Sequence, residues 1–145
     1  MKLQGDLAFV IEDDVDLCGQ FKVALQDAGY TVETFTEGDA AHARLQEDPA
    51  PRLVVLDIHL PNLTGNEIAW ELWFELDQTY IIVVTADPEM ANIHRGRHEM
   101  DYVFTKPLPL DYLTDLARQL IGTKKRKVSD KIVHRAGRTT GSLGS

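Results

Sequence analysis

Four short apolar runs, each ending at a polar or charged side chain, constrain the fold of this chain more than any other feature. Two of them, residues 7–11 and 53–56, contain only apolar residues and end directly at the carboxylates Glu12 and Asp57. Continuous rather than alternating apolar residues are typical of strands buried on both faces of a parallel sheet. The other two runs end in a hydroxyl and an ammonium group: residues 80–85, with Thr85 last, and residues 102–105, followed by Lys106.

Amphipathic segments lie between these runs. After Asp14 the apolar residues recur at helical spacing, and Gly29 supplies a C-terminal stop. Residues 31–35 are rich in β-branched and aromatic side chains and predict a further strand. Helices are also expected over three further ranges: residues 39–47, closed by Pro49 and Pro51, residues 66–76, and residues 113–120, ended by Gly122. This alternation predicts an α/β fold, a doubly wound five-stranded parallel sheet with helices on both faces.

The segment after Thr85 carries the weakest helical pattern. The polar run over residues 92–99, interrupted by Gly96, leaves few apolar anchors for a regular helix. We therefore predict that residues 89–99 are short, irregular or mobile.

Charge divides the chain into two parts. Residues 1–122 hold 22 acidic and 8 basic residues, a balance of −14, whereas residues 123–145 hold 1 and 7, a balance of +6. We predict one domain over residues 1–122 and a basic, flexible tail or linker over residues 123–145. Short basic runs of this kind are usually solvated linkers, so no nucleic-acid partner is expected for this chain alone.

Cysteine and membrane chemistry are not expected. Cys18 is the single cysteine, so it cannot form an internal disulfide, and its thiol is expected to pack as an apolar group. No apolar run approaches the roughly 20 residues of a membrane-spanning helix. The predicted location is therefore the cytoplasm, without a membrane partner.

The polar residues at the strand ends predict a reaction centre. Glu12 and Asp13 follow the first strand, Asp57 the third and Lys106 the fifth, while Thr85 ends the fourth, and parallel strands bring their carboxyl ends to one edge. Converging carboxylates repel one another unless a hard cation such as Mg²⁺ neutralises them. A carboxylate is also a nucleophile in phosphoryl transfer, where an ammonium group and a hydroxyl can receive the transferred oxygens.

Four segments of this edge carry a resemblance to a known family. They read Phe9-Val-Ile-Glu-Asp-Asp14, Val54-Val-Leu-Asp-Ile-His-Leu-Pro61 with Gly65, Ile82-Val-Val-Thr-Ala86, and Phe104-Thr-Lys-Pro107. In order and spacing they resemble the signature segments of response-regulator receiver domains. The resemblance covers about residues 6–122 and implies the flavodoxin-like strand order 2-1-3-4-5 for the sheet.

The resemblance implies a role for each site residue. It implies that Asp57 is the phosphoacceptor and that Thr85 and Lys106 sense the phosphoryl group. The implied ligands of Mg²⁺ or Mn²⁺ are three side chains and one main-chain oxygen: Glu12, Asp13, Asp57 and the backbone carbonyl of His59. The peptide bond between Lys106 and Pro107 is often cis in this family.

The resemblance also implies partners and a switch. A histidine kinase or histidine phosphotransfer protein would donate the phosphoryl group, so the chain would be a phosphorelay module, not an enzyme beyond its own phosphorylation and dephosphorylation. The added charge would change the surface over residues 88–121, which would then control an output protein or domain or form a homodimer.

Several positions depart from the family pattern or modulate it. An aromatic residue commonly lies three positions before the lysine, but here that position is Val103, between Tyr102 and Phe104. His59 and Asp87 lie two positions beyond Asp57 and Thr85, where their side chains are expected to influence the lifetime of the phosphoryl group.

Two other functions remain open at this stage. An aspartyl-phosphate phosphatase of the haloacid-dehalogenase type would need an acid two residues after its nucleophile, where this chain has His59. Alternatively, the domain regulates an attached DNA-binding or catalytic region of a longer response regulator.

Overall fold

The computed structural model describes residues 3–58, 78–97 and 100–123. One parallel sheet has the strand order β2-β1-β3-β4-β5, which confirms the predicted topology. The strands are β1 (Leu3–Ile11), β2 (Thr31–Phe35), β3 (Ala50–Asp57), β4 (Tyr80–Thr85) and β5 (Tyr102–Thr105). The helices of the described residues are α1 (Val15–Asp27), α2 (Gly38–Leu45), α3 (Pro88–Arg97) and α4 (Leu110–Leu120). The helix predicted over residues 66–76 and the tail from residue 124 lie outside the described residues.

Helices on both faces explain why the strands are apolar without alternation. Successive strand side chains point to opposite faces, so Val54 packs on the α2 and α3 side and Val55 on the α1 and α4 side. The same alternation holds for Ile82 and Val83 in β4. Because each face is covered, the central residues of these strands, 53–56 in β3 and 81–84 in β4, are all apolar, as the sequence indicated.

The ends of α1 and α4 follow local chemistry. The Asp14 side chain accepts a hydrogen bond from the Leu17 backbone N–H at 3.1 Å and so caps α1. Gly29 and Gly122 have φ angles of 107° and 76°, the left-handed conformation that glycine adopts at least cost, so both predicted stops are confirmed.

The segment after β4 corrects the sequence-based prediction. Residues 88–97 form a ten-residue α-helix, α3, rather than a short or irregular segment. Its start is fixed by Asp87, whose Oδ1 accepts the Glu89 N–H at 2.9 Å. Ala91 is fully buried against the sheet, with Met90 partly buried beside it. A cap and two apolar contacts in the first turn therefore stabilise a helix that the polar composition had not suggested.

Strand β3 is longer than its apolar run. It begins at Ala50 and includes Pro51, whereas the sequence pattern predicts that Pro51 closes the preceding unit. Proline is tolerated near the start of a strand because few ladder bonds are lost there. The buried Thr79 hydroxyl donates to the Pro51 carbonyl at 2.7 Å. Over the residues that the structure describes, no helix is both long and apolar enough to cross a membrane.

Candidate functional site

The strand register brings the predicted reactive residues to one edge of the sheet. Ile11 of β1 pairs with Leu56 of β3, so the residues that follow them, Glu12 and Asp57, emerge side by side. On the next strand Asp57 pairs with Val84, the residue before Thr85. The carboxyl ends of three adjacent strands therefore meet at this point.

Three carboxylates converge at this edge. One oxygen from each of Glu12, Asp13 and Asp57 lies within 4.8 Å of the others. Glu12 is only 1% exposed and Asp57 5%, whereas Asp13 faces solvent. Buried like charges at such distances are unfavourable, so the cluster needs a cation or a proton.

Lys106 supplies a positive charge to the two buried carboxylates. Its Nζ lies 2.7 Å from Glu12 Oε1 and 3.5 Å from Asp57 Oδ2. The Lys106 backbone N–H donates to the Thr85 carbonyl at 2.8 Å, which fixes the position of Lys106 directly after β5. Lysine is a compact charge on a flexible stem, so the ammonium can approach either carboxylate.

These contacts change the protonation equilibria of the site. Burial raises the pKa of Glu12 to about 7, and the neighbouring Asp57 charge adds to the increase while the Lys106 ammonium opposes it. Desolvation would also raise the pKa of Asp13, but its hydrogen bonding with Glu12 and Asp57 holds that pKa below its ordinary value. Burial would lower the pKa of Lys106, but the adjacent Glu12 and Asp57 carboxylates raise it overall.

Thr85 ends β4 at the same edge and is fully buried. Its hydroxyl oxygen accepts the Asp87 backbone N–H at 3.1 Å. This bond uses a lone pair and leaves the hydroxyl proton available for a further acceptor. Asp87 thus links Thr85 to the start of α3, a connection that spacing alone did not reveal.

The other predicted switch positions divide between the two faces of β5. Val103 is 9% exposed and packs on the α3 side. Tyr102 and Phe104 point to the opposite side, where their rings stack at 6.4 Å, and the Phe104 ring meets Tyr112 edge-on at 5.4 Å. The peptide bond before Pro107 is cis, as the resemblance implied. His59 lies outside the described residues.

Comparison with known proteins identifies the family. The model of the response regulator receiver domain family matches residues 8–118, most of the chain. The chain is a response-regulator receiver domain. A carboxylate cluster with a lysine at the strand ends agrees with this membership. The family is one of signalling modules and not of classical enzymes, and the match does not favour the haloacid-dehalogenase alternative.

Similar proteins include regulators and separately solved receiver domains. The regulatory protein VanRB of Enterococcus faecalis is 29% identical over 112 residues, or 77% of this chain and 50% of VanRB. The response regulator PmrA of Pseudomonas aeruginosa is 33% identical over 85% of this chain and 56% of its own length. The receiver domain thus spans about half the length of these two curated relatives.

Solved structures agree with the fold. TrrA of Thermotoga maritima, solved in complex with Mg²⁺-BeF, is 26% identical with a TM-score of 0.69, over 83% of this chain and 99% of TrrA. The receiver domain of NtrX from Brucella abortus is 27% identical with a TM-score of 0.69, over 81% of this chain and 99% of the NtrX receiver domain.

The donor set of the receiver domain fits a hard divalent cation. Glu12 Oε1 is buried and contacts the Lys106 ammonium at 2.7 Å. Three acids therefore face this one ammonium, and the cluster favours a further positive ligand. Mg²⁺ prefers oxygen ligands and binds through few carboxylates, which matches the three acids present.

Proposed function

We propose that Asp57 is the phosphoacceptor of this receiver domain and that its donor is a histidine kinase or a histidine phosphotransfer protein. The observation that carries the proposal is the Lys106 ammonium 3.5 Å from the Asp57 carboxylate, within a cluster of two further acids. A buried carboxylate beside a mobile positive charge can accept a group whose negative oxygens that charge then neutralises. The receiver unit would span residues 1–122, followed by the basic tail over residues 123–145.

The transfer is a displacement at phosphorus. A carboxylate oxygen of Asp57 forms the new O–P bond while the N–P bond to the donor imidazole breaks, and that nitrogen keeps the electron pair. Hydrolysis later returns the carboxylate and releases inorganic phosphate. Both steps are self-catalysed in this proposal, because the chain positions the carboxylate and neutralises the charge itself.

The proposed metal ligands are the three clustered acids and one main-chain oxygen: Glu12, Asp13, Asp57 and the backbone carbonyl of His59. Mg²⁺ or Mn²⁺ bound there would neutralise charge on the transferred phosphoryl oxygens. The presence of Mg²⁺ in the similar TrrA structure supports this choice. Lys106 would then leave Glu12 and hold a phosphoryl oxygen instead.

Thr85 and Asp87 would connect the phosphoryl group to α3. The Thr85 hydroxyl proton would be donated to a phosphoryl oxygen, which draws the Thr85–Asp87 turn toward Asp57. Because Asp87 caps α3, that displacement would move the surface over residues 88–121. This surface would contact an output protein or domain, or a second copy of the chain. Since Val103 is a buried valine, the coupling would not depend on an aromatic side chain at this position.

Peptide mapping tests the phosphoacceptor. The protein is incubated with Mg²⁺ and a small acyl phosphate, digested, and mapped by mass spectrometry for one added phosphoryl group. We expect label on the peptide that contains Asp57, and none when a chelator replaces Mg²⁺. Label confined to another residue, or no label with a donor validated on another receiver domain, would rule out the proposal.

Asp87 is expected to influence the lifetime of the phosphoryl group. We predict that Asp87→Asn, which keeps an oxygen to cap Glu89, is phosphorylated normally but loses its phosphoryl group about 3 to 10 times more slowly. We expect a smaller decrease in the dephosphorylation rate than the removal of a general base would cause, because the Asp87 side chain would only orient the attacking water. The measurement is the decay of label after donor removal.

The control for this prediction is Asp39→Asn, which removes the same charge from an exposed position on α2. His59 is tested in the same way with His59→Asn. Lifetimes equal to that of the unmodified protein in both Asp87→Asn and His59→Asn would remove the modulating role.

A further inference from the structure

A groove between α1 and α4 has no part in the chemistry of Asp57. It encloses about 480 Å³ and lies along one outer face of the described molecule. Its apolar floor includes Val23, Ala24 and Leu110. Val23 is 55% exposed, a large fraction for an aliphatic side chain in a packed helix pair.

The rim of this groove is acidic. Asp16 and Asp27 line it from the two ends of α1, and Asp111 lines it from the first turn of α4. Within the described residues, no ion pair joins any of these three carboxylates to a basic side chain. An apolar floor with an acidic rim suits an extended basic segment.

The basic tail starts beside one end of this groove. Thr123 is held against the sheet by Arg52, which donates to its carbonyl, and by Tyr80, whose hydroxyl lies 2.9 Å from the Thr123 hydroxyl. The side chain of Ile121 lies next to Gly29, two residues after Asp27. Residue 124 therefore continues from a defined point at the same end of the described molecule as Asp27.

The length and charge of the tail match the groove. From Asp16 to Asp27 the α1 axis rises roughly 16 Å, whereas eight extended residues span up to about 26 Å. The first eight residues after Thr123, which we call the basic segment (residues 124–131), hold five Lys or Arg and one Asp. They therefore have both the reach and the opposite charge.

We propose that the basic segment folds back along the α1–α4 groove of its own chain and covers it. Linkage to the same chain makes this an intramolecular contact with a high effective concentration, so a weak interaction suffices. Any partner that binds the α1 face must then displace the basic segment. The contact depends on exposed charges and should weaken as salt is added.

A spin label in the basic segment tests the contact in the full chain. Ser129→Cys places a reactive thiol in the segment, while the buried Cys18, whose pKa is raised by burial, should not react. At low salt we expect the nitroxide to broaden amide signals of groove residues such as Gly19 and Val23, but not those of Ala41 on α2. At about 1 M salt, where screening is nearly complete, the broadening should disappear.

Charge exchange distinguishes specific docking from general attraction. Asp27→Lys should reduce the broadening of the groove amides. A triple variant that combines Asp27→Lys with Lys124→Glu and Lys125→Glu should recover part of that broadening. The matched control Asp39→Lys, on the opposite face, should leave the broadening unchanged. Equal broadening of α1 and α2 amides, or no rescue by the exchanged pair, would overturn the proposal.

A mixing experiment distinguishes docking of the basic segment in the groove of its own chain from docking in the groove of a second copy. Protein that carries the nitroxide but no nitrogen-15 is mixed with nitrogen-15 protein that carries no nitroxide. Any broadening in this mixture is therefore intermolecular. We expect none, and groove broadening in this mixture would refute an intramolecular contact. The measurement uses metal-free, unphosphorylated protein, so its result is independent of whether Asp57 is the phosphoacceptor.

Discussion

Asp57→Asn is expected to reduce phosphoryl incorporation from a small donor by at least about 100-fold, because an amide is not a nucleophile at phosphorus. Asparagine has nearly the same shape, so the neighbouring side chains need not move. The change also removes one charge from a buried acidic cluster. The urea concentration at the unfolding midpoint of the metal-free variant should therefore be at least as high as that of the original protein. Incorporation is measured by intact mass after incubation with Mg²⁺ and the donor.

Asp14→Asn is the matched control for this variant. It makes the same chemical change close in sequence to the site, and asparagine caps a helix as well as aspartate does, so α1 should be retained. We expect normal incorporation in Asp14→Asn. Incorporation in Asp57→Asn equal to that of the control would mean that the phosphoryl group is carried elsewhere.

Glu12→Gln is expected to have opposite effects on stability and on metal binding. In the metal-free protein it should raise the free energy of unfolding at pH 8 by about 1 to 3 kcal/mol, because a charged carboxylate no longer has to be buried beside Asp57. It should also weaken Mg²⁺ binding on the order of 10-fold, because a carboxylate ligand is replaced by a neutral amide.

The pH dependence of this gain follows from the raised pKa of Glu12. Folding raises the pKa from 4.5 to about 7, so between these values the folded protein binds more protons than the unfolded chain. The stability contributed by protonated Glu12 is therefore present below about pH 4.5 and is lost as pH rises through 7. The difference between Glu12→Gln and the original protein should be small at pH 5 and largest above pH 7.

Urea unfolding in the presence of a chelator, at pH 5 and pH 8, measures this difference. Glu37→Gln is the control, since Glu37 is exposed at the start of α2 and the change removes the same formal charge far from the cluster. A pH-independent difference for Glu12→Gln, or an equal one for Glu37→Gln, would contradict a buried carboxylate at position 12. Titration with Mg²⁺ then checks the loss of affinity.

Local sequence patterns predicted strands and helix ends correctly where the local preference agreed with the observed fold. Continuous apolar runs predicted β4 and β5 with their observed bounds, and Gly29 and Gly122 marked real helix ends. The prediction for residues 88–97 was wrong, because their polar composition does not reveal that Asp87 caps the helix or that Ala91 is buried. A helix with one buried turn is stabilised by tertiary contact more than by propensity.

The amino-acid sequence by itself determined the parallel sheet and the edge at which the acids, the hydroxyl and the lysine meet, because strand periodicity and right-handed crossovers leave few other arrangements. Only the tertiary structure decided that Lys106 lies closer to Glu12 than to Asp57 and that Glu12 is the carboxylate with a pKa near neutrality. Such differences depend on ångström-scale distances and on burial. These quantities arise where strands distant in sequence pack together, and no short segment encodes them.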